Sequence, residues 1–92
     1  MTKAILETLI ENDRVRVNRW TFPSGTETGR HRHALAYVVV PMTTGTLVVR
    51  DSKGRRDNNL VAGSPYYGDA GVEHNVLNEG AAEISFIEIE LK

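Results

Sequence analysis

The amino-acid sequence predicts an all-β fold, a sandwich or barrel of short strands, and two observations carry that prediction. Apolar and polar residues alternate in several segments, most clearly in "DRVRVNRWTF" and "AEISFIEIELK". Alternation with a period of two is the pattern of a strand with one solvated face. Turn signals rich in Gly, Pro, Asn and Asp separate these segments at short intervals. Many short strands between frequent turns favour a closed or two-layered β architecture.

The first two elements lie in the N-terminal part of the sequence. The opening segment "KAILETLIE" fits either a short helix or an edge strand, and its residues do not decide between the two. Its apolar residues at helical spacing are Ile5, Leu6, Leu9 and Ile10. The next segment, "DRVRVNRWTF", alternates clearly and predicts a strand, which the turn signal "FPSGTETG" ends.

Apolar, β-branched segments predict the central strands, "HALAYVVVPM" and "GTLVV". Only one face of the first of these strands can line a barrel. Its outward residues Ala36, Val38 and Val40 are also apolar and therefore need cover from elsewhere. We expect the sheet of a partner subunit to supply that cover, which predicts a homodimer.

The C-terminal half of the sequence combines polar turn signals with two further strands. The segment "DSKGRRDN" is rich in turn-forming residues and predicts a turn, and "GVEHNVLN" follows a tight turn as a strand. In the closing strand, "AEISFIEIELK", glutamates alternate with isoleucines. The pattern leaves open whether Glu88 faces the inside of the barrel or the solvent.

Length and composition limit the class of protein. The chain has 92 residues, 40% of them hydrophobic, and a formal net charge of -1, which predicts one globular domain over residues 1–92. Eleven basic residues against twelve acidic ones argue against nucleic acid or an anionic membrane surface as a partner. Glu7 and Glu11 interrupt the N-terminal apolar residues, and no run reaches membrane-spanning length. We therefore expect a cytoplasmic protein.

The chain has three histidines and no cysteine, so a bound metal must be held by nitrogen and oxygen ligands. In "GRHRHALAYVVVP" two histidines stand one residue apart. On a strand His31 and His33 share a face, with Cα atoms roughly 6.7 Å apart. Imidazoles at that separation can converge on one ion that lies about 2.1 Å from each nitrogen. His74 follows a tight turn in "GSPYYGDAGVEHNVLN" and is the third candidate ligand.

The spacing of these residues resembles the two motifs of the cupin family. The first motif is a glycine, five residues, His-x-His, three or four residues, a glutamate and then a glycine. It spans about residues 25–45, at Gly25, His31, His33 and Gly45. The second is a glycine, five residues, Pro-x-Gly, two residues, a histidine, three residues and an asparagine. It spans about residues 63–78, at Gly63, Asp69, Gly71, His74 and Asn78.

The resemblance implies a cupin double-stranded β-helix, a small jelly-roll barrel, whose metal is held by the three histidines. Asp69 replaces the proline of the second motif and alters a turn, to which aspartate is also suited. The glutamate of the first motif is missing. Val38 occupies its position when counted back from Gly45, whereas Tyr37 shares the face of the histidines in an unbulged strand. Tyr37 is thus a candidate fourth ligand or a hydrogen-bonding group beside the metal.

The family implies one divalent transition metal and a small-molecule ligand. Fe, Ni, Mn, Cu and Zn all suit imidazole ligands, and the sequence does not choose among them. Because three neutral imidazoles leave the charge of the ion uncompensated, an oxygen-rich or anionic ligand is favoured. The implied reactions are metal-dependent dioxygenation, isomerisation or bond cleavage of the lyase type. The alternative is a cupin that binds or senses a small molecule without converting it.

Residues outside the metal set complete the candidate site. Those that we expect to line a pocket are Trp20, Phe22, Tyr66, Tyr67, Asn78 and Glu88. The segments "HALAYVVVP", "GVEHNVLN" and "FIEIELK" also resemble those of small single-domain cupins connected with beta-alanine degradation. That resemblance indicates a group of related proteins and identifies no reaction.

Overall fold

The protein is built from strands. The computed structural model describes residues 1–92 and contains eleven strands and no helix. The strands are β1 (Thr2–Lys3), β2 (Ile5–Glu11), β3 (Val15–Phe22), β4 (Thr26–Glu27), β5 (His31–Arg32), β6 (Tyr37–Pro41), β7 (Gly45–Asp51), β8 (Gly54–Leu60), β9 (Tyr66–Gly68), β10 (Glu73–Asn78) and β11 (Ile84–Leu91). No segment forms a helix of the length and apolarity needed to cross a membrane. The predicted all-β fold is confirmed.

The strands form two sheets that share one core. The first sheet has the order β1-β4-β10-β7-β8, with β5 also paired to β10, and the second has the order β2-β3-β11-β6-β9. Side chains from both sheets meet in a buried cluster. Its members are Phe22, Tyr37, Val39, Leu47, Val49, Leu60, Val76, Ile84 and Phe86. Burial of a large apolar side chain stabilises a fold by about 1.5–3 kcal/mol, so this cluster holds the two sheets together.

Strands β3 and β11 pair along their whole length at the centre of the second sheet. Phe86 lies opposite Trp20, and Glu88 lies opposite Asn18. Because successive side chains alternate between faces, Phe86 and Glu88 point into the barrel while the half-buried Ile87 points outward. The register thus decides the direction that the sequence pattern left open, and it places a carboxylate inside the barrel.

The N-terminal segment is an edge strand, so its helical alternative is wrong. β2 pairs with β3 from Ile5, opposite Thr21, to Glu11, opposite Arg16, with one register shift in between. Every residue of β2 is exposed. The pairing gives the backbone of this segment hydrogen-bond partners along β3, whereas a helix here would require an apolar stripe buried against the protein. Local residue spacing could not reveal that partner strand.

The polar segment "DSKGRRDN" also differs from its prediction as a turn. Ser52 and Lys53 form the turn, and Gly54–Leu60 forms β8. β8 lies at the edge of the first sheet and pairs with β7. Most of its polar side chains remain in water, Asn58 being half-buried, while its backbone completes the ladder, an arrangement that suits edge strands.

The segment "GRHRHALAYVVVP" contains two strands and is not one continuous strand. β5 ends at Arg32 and pairs with β10 in the first sheet, whereas β6 begins at Tyr37 and pairs with β11 and β9 in the second sheet. The residues between them carry the chain from one sheet to the other. This crossing places His31 on one wall of the barrel and Tyr37 on the opposite wall.

The outward side of the second sheet is apolar. We call the outer apolar face the set Ile10, Val17, Val38, Val40, Tyr67, Ile87 and Ile89. The strand register puts these side chains next to one another, since Ile89 lies opposite Val17 on one side and Val38 on the other. Five of the seven are half-buried, and Ile10 and Tyr67 are exposed. A contiguous apolar face of this kind is typical of a surface that another chain covers.

Candidate metal centre

Strand β10 and the turn before it position all three histidines. His31 on β5 lies directly opposite His74 on β10. The N–H of His33 donates to the carbonyl of Val72 at 2.8 Å, and the N–H of Gly71 donates to the carbonyl of His33 at 2.6 Å. Gly71 has a φ of 92°, a left-handed conformation that glycine adopts without steric cost. The turn therefore fixes the backbone of His33 beside the His31 and His74 pair.

The Nε2 atoms of the three histidines converge. Nε2 of His33 lies 3.1 Å from Nε2 of His31 and 3.0 Å from Nε2 of His74. One nitrogen from each of the three residues lies within 4.8 Å of the other two. Nδ1 of His31 lies 2.8 Å from the carbonyl oxygen of Gly29, a contact that requires an N–H at Nδ1. In the neutral imidazole with its N–H at Nδ1, the lone pair is on Nε2, the nitrogen that lies 3.1 Å from Nε2 of His33.

Burial keeps two of the imidazoles neutral. Burial, together with a smaller effect of the neighbouring His31, lowers the pKa of His33 from 6.5 to about 4. The pKa of His74 falls to about 4 for the same reasons, with burial again the largest cause. At neutral pH His33 and His74 therefore hold lone pairs and no charge, which is the state in which imidazole binds a metal.

The donor set fits a divalent transition metal. Nitrogens about 2.1 Å from one ion and at right angles to each other are roughly 3.0 Å apart, close to the two Nε2 separations here. Imidazole nitrogen suits zinc, copper, iron and nickel, whereas calcium and magnesium prefer oxygen. The three side chains are thus arranged as three ligands of one ion, with room left for others.

Tyr37 stands beside the histidines, and Val38 does not. The ring of Tyr37 stacks on the ring of His33 with centroids 4.0 Å apart, while Val38 faces outward. Burial raises the pKa of Tyr37 from 10 to about 12, so its hydroxyl stays protonated at neutral pH. Tyr37 lines the cavity beside the histidines, and its hydroxyl forms no hydrogen bond within the protein. It is therefore free to bond a ligand.

A cavity of about 30 Å³, the room of about one water molecule, adjoins the histidine cluster between two larger recesses. The tyrosine recess, of about 330 Å³, shares with this cavity the residues Tyr37, Val49, Asn58, Tyr66 and His74. The glutamate recess, of about 220 Å³, shares with it the residues Trp20, Thr28, His31, His33 and Glu88. The histidines are accordingly approached from two sides.

Known proteins share this sequence and this architecture. No family model matches the chain. The beta-alanine degradation protein BauB of Pseudomonas aeruginosa is 49% identical to it over 90 residues, which cover 98% of this chain and 95% of BauB. A cupin domain from Bordetella pertussis Tohama I is 48% identical and superposes with a TM-score of 0.97, covering 99% of this chain and 95% of the other. This chain is a cupin.

More distant structures share the fold of this cupin. An RmlC-like cupin from Methanocaldococcus jannaschii with a double-stranded β-helix fold is 14% identical and has a TM-score of 0.80, over 99% of this chain and 82% of the other. A double-stranded β-helix protein from Klebsiella pneumoniae is 20% identical, with a TM-score of 0.78 over 97% and 76% of the two chains. The predicted double-stranded β-helix is confirmed.

Glu88 brings a carboxylate to the site of this cupin. Its Oε1 accepts hydrogen bonds from Nδ2 of Asn18 at 3.2 Å and from Nε1 of Trp20 at 3.4 Å. Burial raises the pKa of Glu88, although the hydrogen bond from Asn18 opposes the rise. The carboxyl group is not among the ligand atoms that converge with the histidines. It forms part of the wall of the cavity and of the glutamate recess.

Four of the predicted pocket residues line the space around the histidines, and two do not. Trp20, Tyr66 and Glu88 line the cavity, and Tyr67 lines the tyrosine recess. The prediction is wrong for Phe22, which is fully buried and stacks on Phe86 with centroids 5.6 Å apart. It is also wrong for Asn78, whose Nδ2 donates to the carbonyls of Phe22 and Ala82, both at 2.8 Å. These two residues hold the core and a turn together.

Sequence reasoning missed Asn18 and Asn58. Asn18 faces inward next to Glu88, and Asn58 lines the cavity and donates to the hydroxyl of Tyr66 at 3.1 Å. The alternation of "DRVRVNRWTF" could have indicated Asn18, since it is two residues from Trp20 and the two side chains therefore share one face of the strand. Asn58 lies in a polar segment that gave no sign of being a strand.

Proposed function

We propose that residues 1–92 form a single-domain metal-binding cupin that binds or converts a small oxygen-rich or anionic molecule at a divalent ion held by His31, His33 and His74. The observation that carries this proposal is the convergence of three Nε2 atoms, one of which has its lone pair fixed by the Gly29 carbonyl. Neutral imidazoles that meet in this way gain little from one another and much from a shared cation.

A bound Fe, Ni, Mn, Cu or Zn ion supplies a Lewis acid with open coordination positions. The protein contributes three neutral ligands, so the ion keeps its positive charge and attracts carboxylate or other oxygen groups. Tyr37 supports the ring of His33 and offers a neutral hydroxyl to the ligand. The apolar wall built by Trp20, Val39 and Phe86 excludes water from the bound molecule.

The chemistry that we assign to this site is a dioxygenation, an isomerisation or a lyase-type cleavage of a small molecule. The name of the relative from Pseudomonas aeruginosa supports a substrate from beta-alanine degradation. The recesses beside the histidines, of about 330 and 220 Å³, have room for a small molecule. The alternative role is binding or sensing of such a molecule without conversion.

We further propose that the protein is a homodimer that buries the outer apolar face. Val38 and Val40 are half-buried on this face and lie next to the half-buried Ile87 and Ile89 of β11. Burial of each such side chain against a partner removes apolar surface from water at about 25 cal/mol per Å². A cytoplasmic location and the absence of nucleic-acid and membrane partners remain predictions from composition.

The test of the metal site is elemental analysis of protein purified without a histidine tag, with a His31→Ala, His33→Ala, His74→Ala triple variant as the matched control. The proposal expects about one ion per chain in the wild type and none in the triple variant. Equal metal content in both proteins would contradict it.

The same preparation separates conversion from binding. Protein reloaded with Fe, Ni, Mn, Cu or Zn is incubated with small carboxylates, including beta-alanine, while oxygen consumption and products are followed. Turnover that depends on one metal and disappears in the triple variant supports the enzyme. Saturable binding by calorimetry without any product supports the sensing alternative.

A further inference from the structure

Only one of the two oxygens of the buried Glu88 carboxylate has hydrogen-bond partners in the protein. The residue is 6% exposed. Oε1 accepts both of its hydrogen bonds, from Asn18 and Trp20. Oε2 has no hydrogen-bond partner in the protein. Because every fully enclosed side-chain polar atom has a partner, Oε2 is not fully enclosed. Since Glu88 lines the cavity and the glutamate recess, Oε2 faces that open space.

The charge of this carboxylate is also unbalanced. Both groups that donate to Glu88 are neutral, and the residue takes part in no salt bridge of the protein. Its neighbour Glu90 differs, because Glu90 accepts from Asn18 at 2.9 Å and lies 3.5 Å from the guanidinium of Arg16. A buried carboxylate without a cation is costly, so the arrangement of Glu88 is not explained by stability.

The position of Glu88 relates it to the metal centre. His31, His33 and Glu88 line the same glutamate recess, with Trp20 as one of its apolar walls. A ligand that reaches the histidines through this recess passes the free Oε2. Arg32, which is exposed and in no salt bridge, stands at the same recess. The recess therefore presents a cation at its exposed part and a carboxylate in its buried part.

We propose that Oε2 of Glu88 accepts a hydrogen bond from the ammonium group of a short amino carboxylate, whose carboxylate end lies at the three-histidine centre. This inference rests on the proposed function and names its ligand class. An ammonium group supplies both the missing hydrogen bond and the missing positive charge, whereas a hydroxyl supplies the hydrogen bond alone. Hydrogen bonds between charged groups are the stronger ones, so the ammonium is selected.

The test compares ligands that differ in one terminal group. Each series consists of an unsubstituted acid, the hydroxy acid and the amino acid of one chain length. The two-carbon series is acetate, glycolate and glycine, and the three-carbon series is propionate, 3-hydroxypropionate and beta-alanine. The four-carbon series is butyrate, 4-hydroxybutyrate and 4-aminobutyrate. Three chain lengths are used so that one of them matches the span between the metal and Glu88. Calorimetry with metal-loaded protein should give an amine at least about tenfold tighter than the matching unsubstituted acid in one series, as a charge-assisted hydrogen bond provides.

Two variants make the comparison specific. Glu88→Gln keeps an oxygen that can accept from Asn18 and Trp20 but carries no charge, and it should reduce the preference for the amine to about unity. Glu83→Gln, at an exposed carboxylate that lines neither recess and forms no salt bridge, is the control and should retain the preference. An amine preference that survives in Glu88→Gln would overturn the proposal, because the metal alone would then hold the amine. Equal binding of all three ligands in every series would overturn it as well.

A second readout distinguishes this proposal from the metal site itself. In protein incubated with diamagnetic Zn²⁺, the carboxyl ¹³C resonance of Glu88, assigned by its loss in Glu88→Gln, should move on addition of beta-alanine or 4-aminobutyrate and not of propionate or butyrate. If the wild-type protein takes up no metal but the Glu88 resonance responds to the amines, the proposed metal-dependent function is wrong and the role of Glu88 is supported. If the protein binds about one ion per chain but the Glu88 resonance responds to no amine, the role of Glu88 is wrong and the proposed function is unaffected.

Discussion

The ring of Tyr37 occupies the space in which a side chain at Gly68 would lie. The two residues are opposite each other on β6 and β9, and a Cβ added to Gly68 would be inside van der Waals contact of Cζ and the hydroxyl of Tyr37. Gly68 does not have a positive φ. The glycine is thus required for space and not for backbone conformation, and it allows Tyr37 to stack on His33.

Gly68→Ala should destabilise the protein by about 1–3 kcal/mol, since an extra methyl group in a packed region forces neighbours to move. It should also weaken metal binding, because the displaced Tyr37 ring no longer supports His33. Chemical denaturation and metal titration measure the two effects. Gly80→Ala is the control, as its Cβ would make ordinary contact at 3.5 Å, and it should change stability by less than about 0.5 kcal/mol.

Tyr37→Phe removes the hydroxyl and keeps the ring. We expect this variant to retain most of its metal and to bind anionic ligands more weakly, because the ring still stacks on His33 while the free hydroxyl is lost. Metal analysis and calorimetry with a carboxylate would check this. Loss of the metal in Tyr37→Phe would instead assign the tyrosine oxygen to the ion as a ligand.

Each single replacement of His31, His33 or His74 by alanine should lower metal affinity by roughly 100-fold or more, since even residues outside the ligand shell cost about 10–100-fold. The double variant His31→Ala, His33→Ala should be little worse than either single one. Residues that act through one ion are non-additive because the first loss already releases it. Stoichiometric metal in His74→Ala at neutral pH would contradict a shared site.

The metal-free protein should lose stability as the pH falls from about 6.5 to about 4. In this interval the unfolded chain binds protons at histidines of ordinary pKa, whereas His33 and His74 in the folded chain, with pKa values of about 4, do not. Proton uptake then favours the unfolded state. Denaturation across this range should show a smaller slope for His33→Asn, His74→Asn. An unchanged slope would mean that these histidines titrate normally.

If the protein is a homodimer, light scattering at micromolar concentration should give the mass of two chains. Ile89→Lys places a charge at the centre of the outer apolar face and should give a folded monomer. Thr46→Lys, at an exposed position on β7 of the first sheet, is the control and should leave the dimer intact. A wild type that is monomeric at these concentrations would refute the proposed interface.

The sequence by itself determined the alternating strands and indicated which histidines come together. A period of two is a local property, so "DRVRVNRWTF" and the closing strand could be recognised without partners. The convergence of His31, His33 and His74 was implied by the resemblance of two local motifs to those of the cupin family, and the structure brings the three side chains together. The structure places Tyr37, and not Val38, beside His33, although the continuous strand from which we favoured Tyr37 is broken before that residue.

The tertiary structure decided what depends on distant partners. Alternation does not reveal which set of residues faces inward, and the register of β11 against β3 and β6 was needed to place Glu88 inside the barrel. β2 is a strand because β3 offers it an edge, and no residue of the segment itself contains that information. Phe22 and Asn78 lie near the motifs in sequence, yet packing and backbone hydrogen bonds hold them away from the cavity. Long-range pairing sets these positions because a side chain's direction is fixed only when its strand has neighbours.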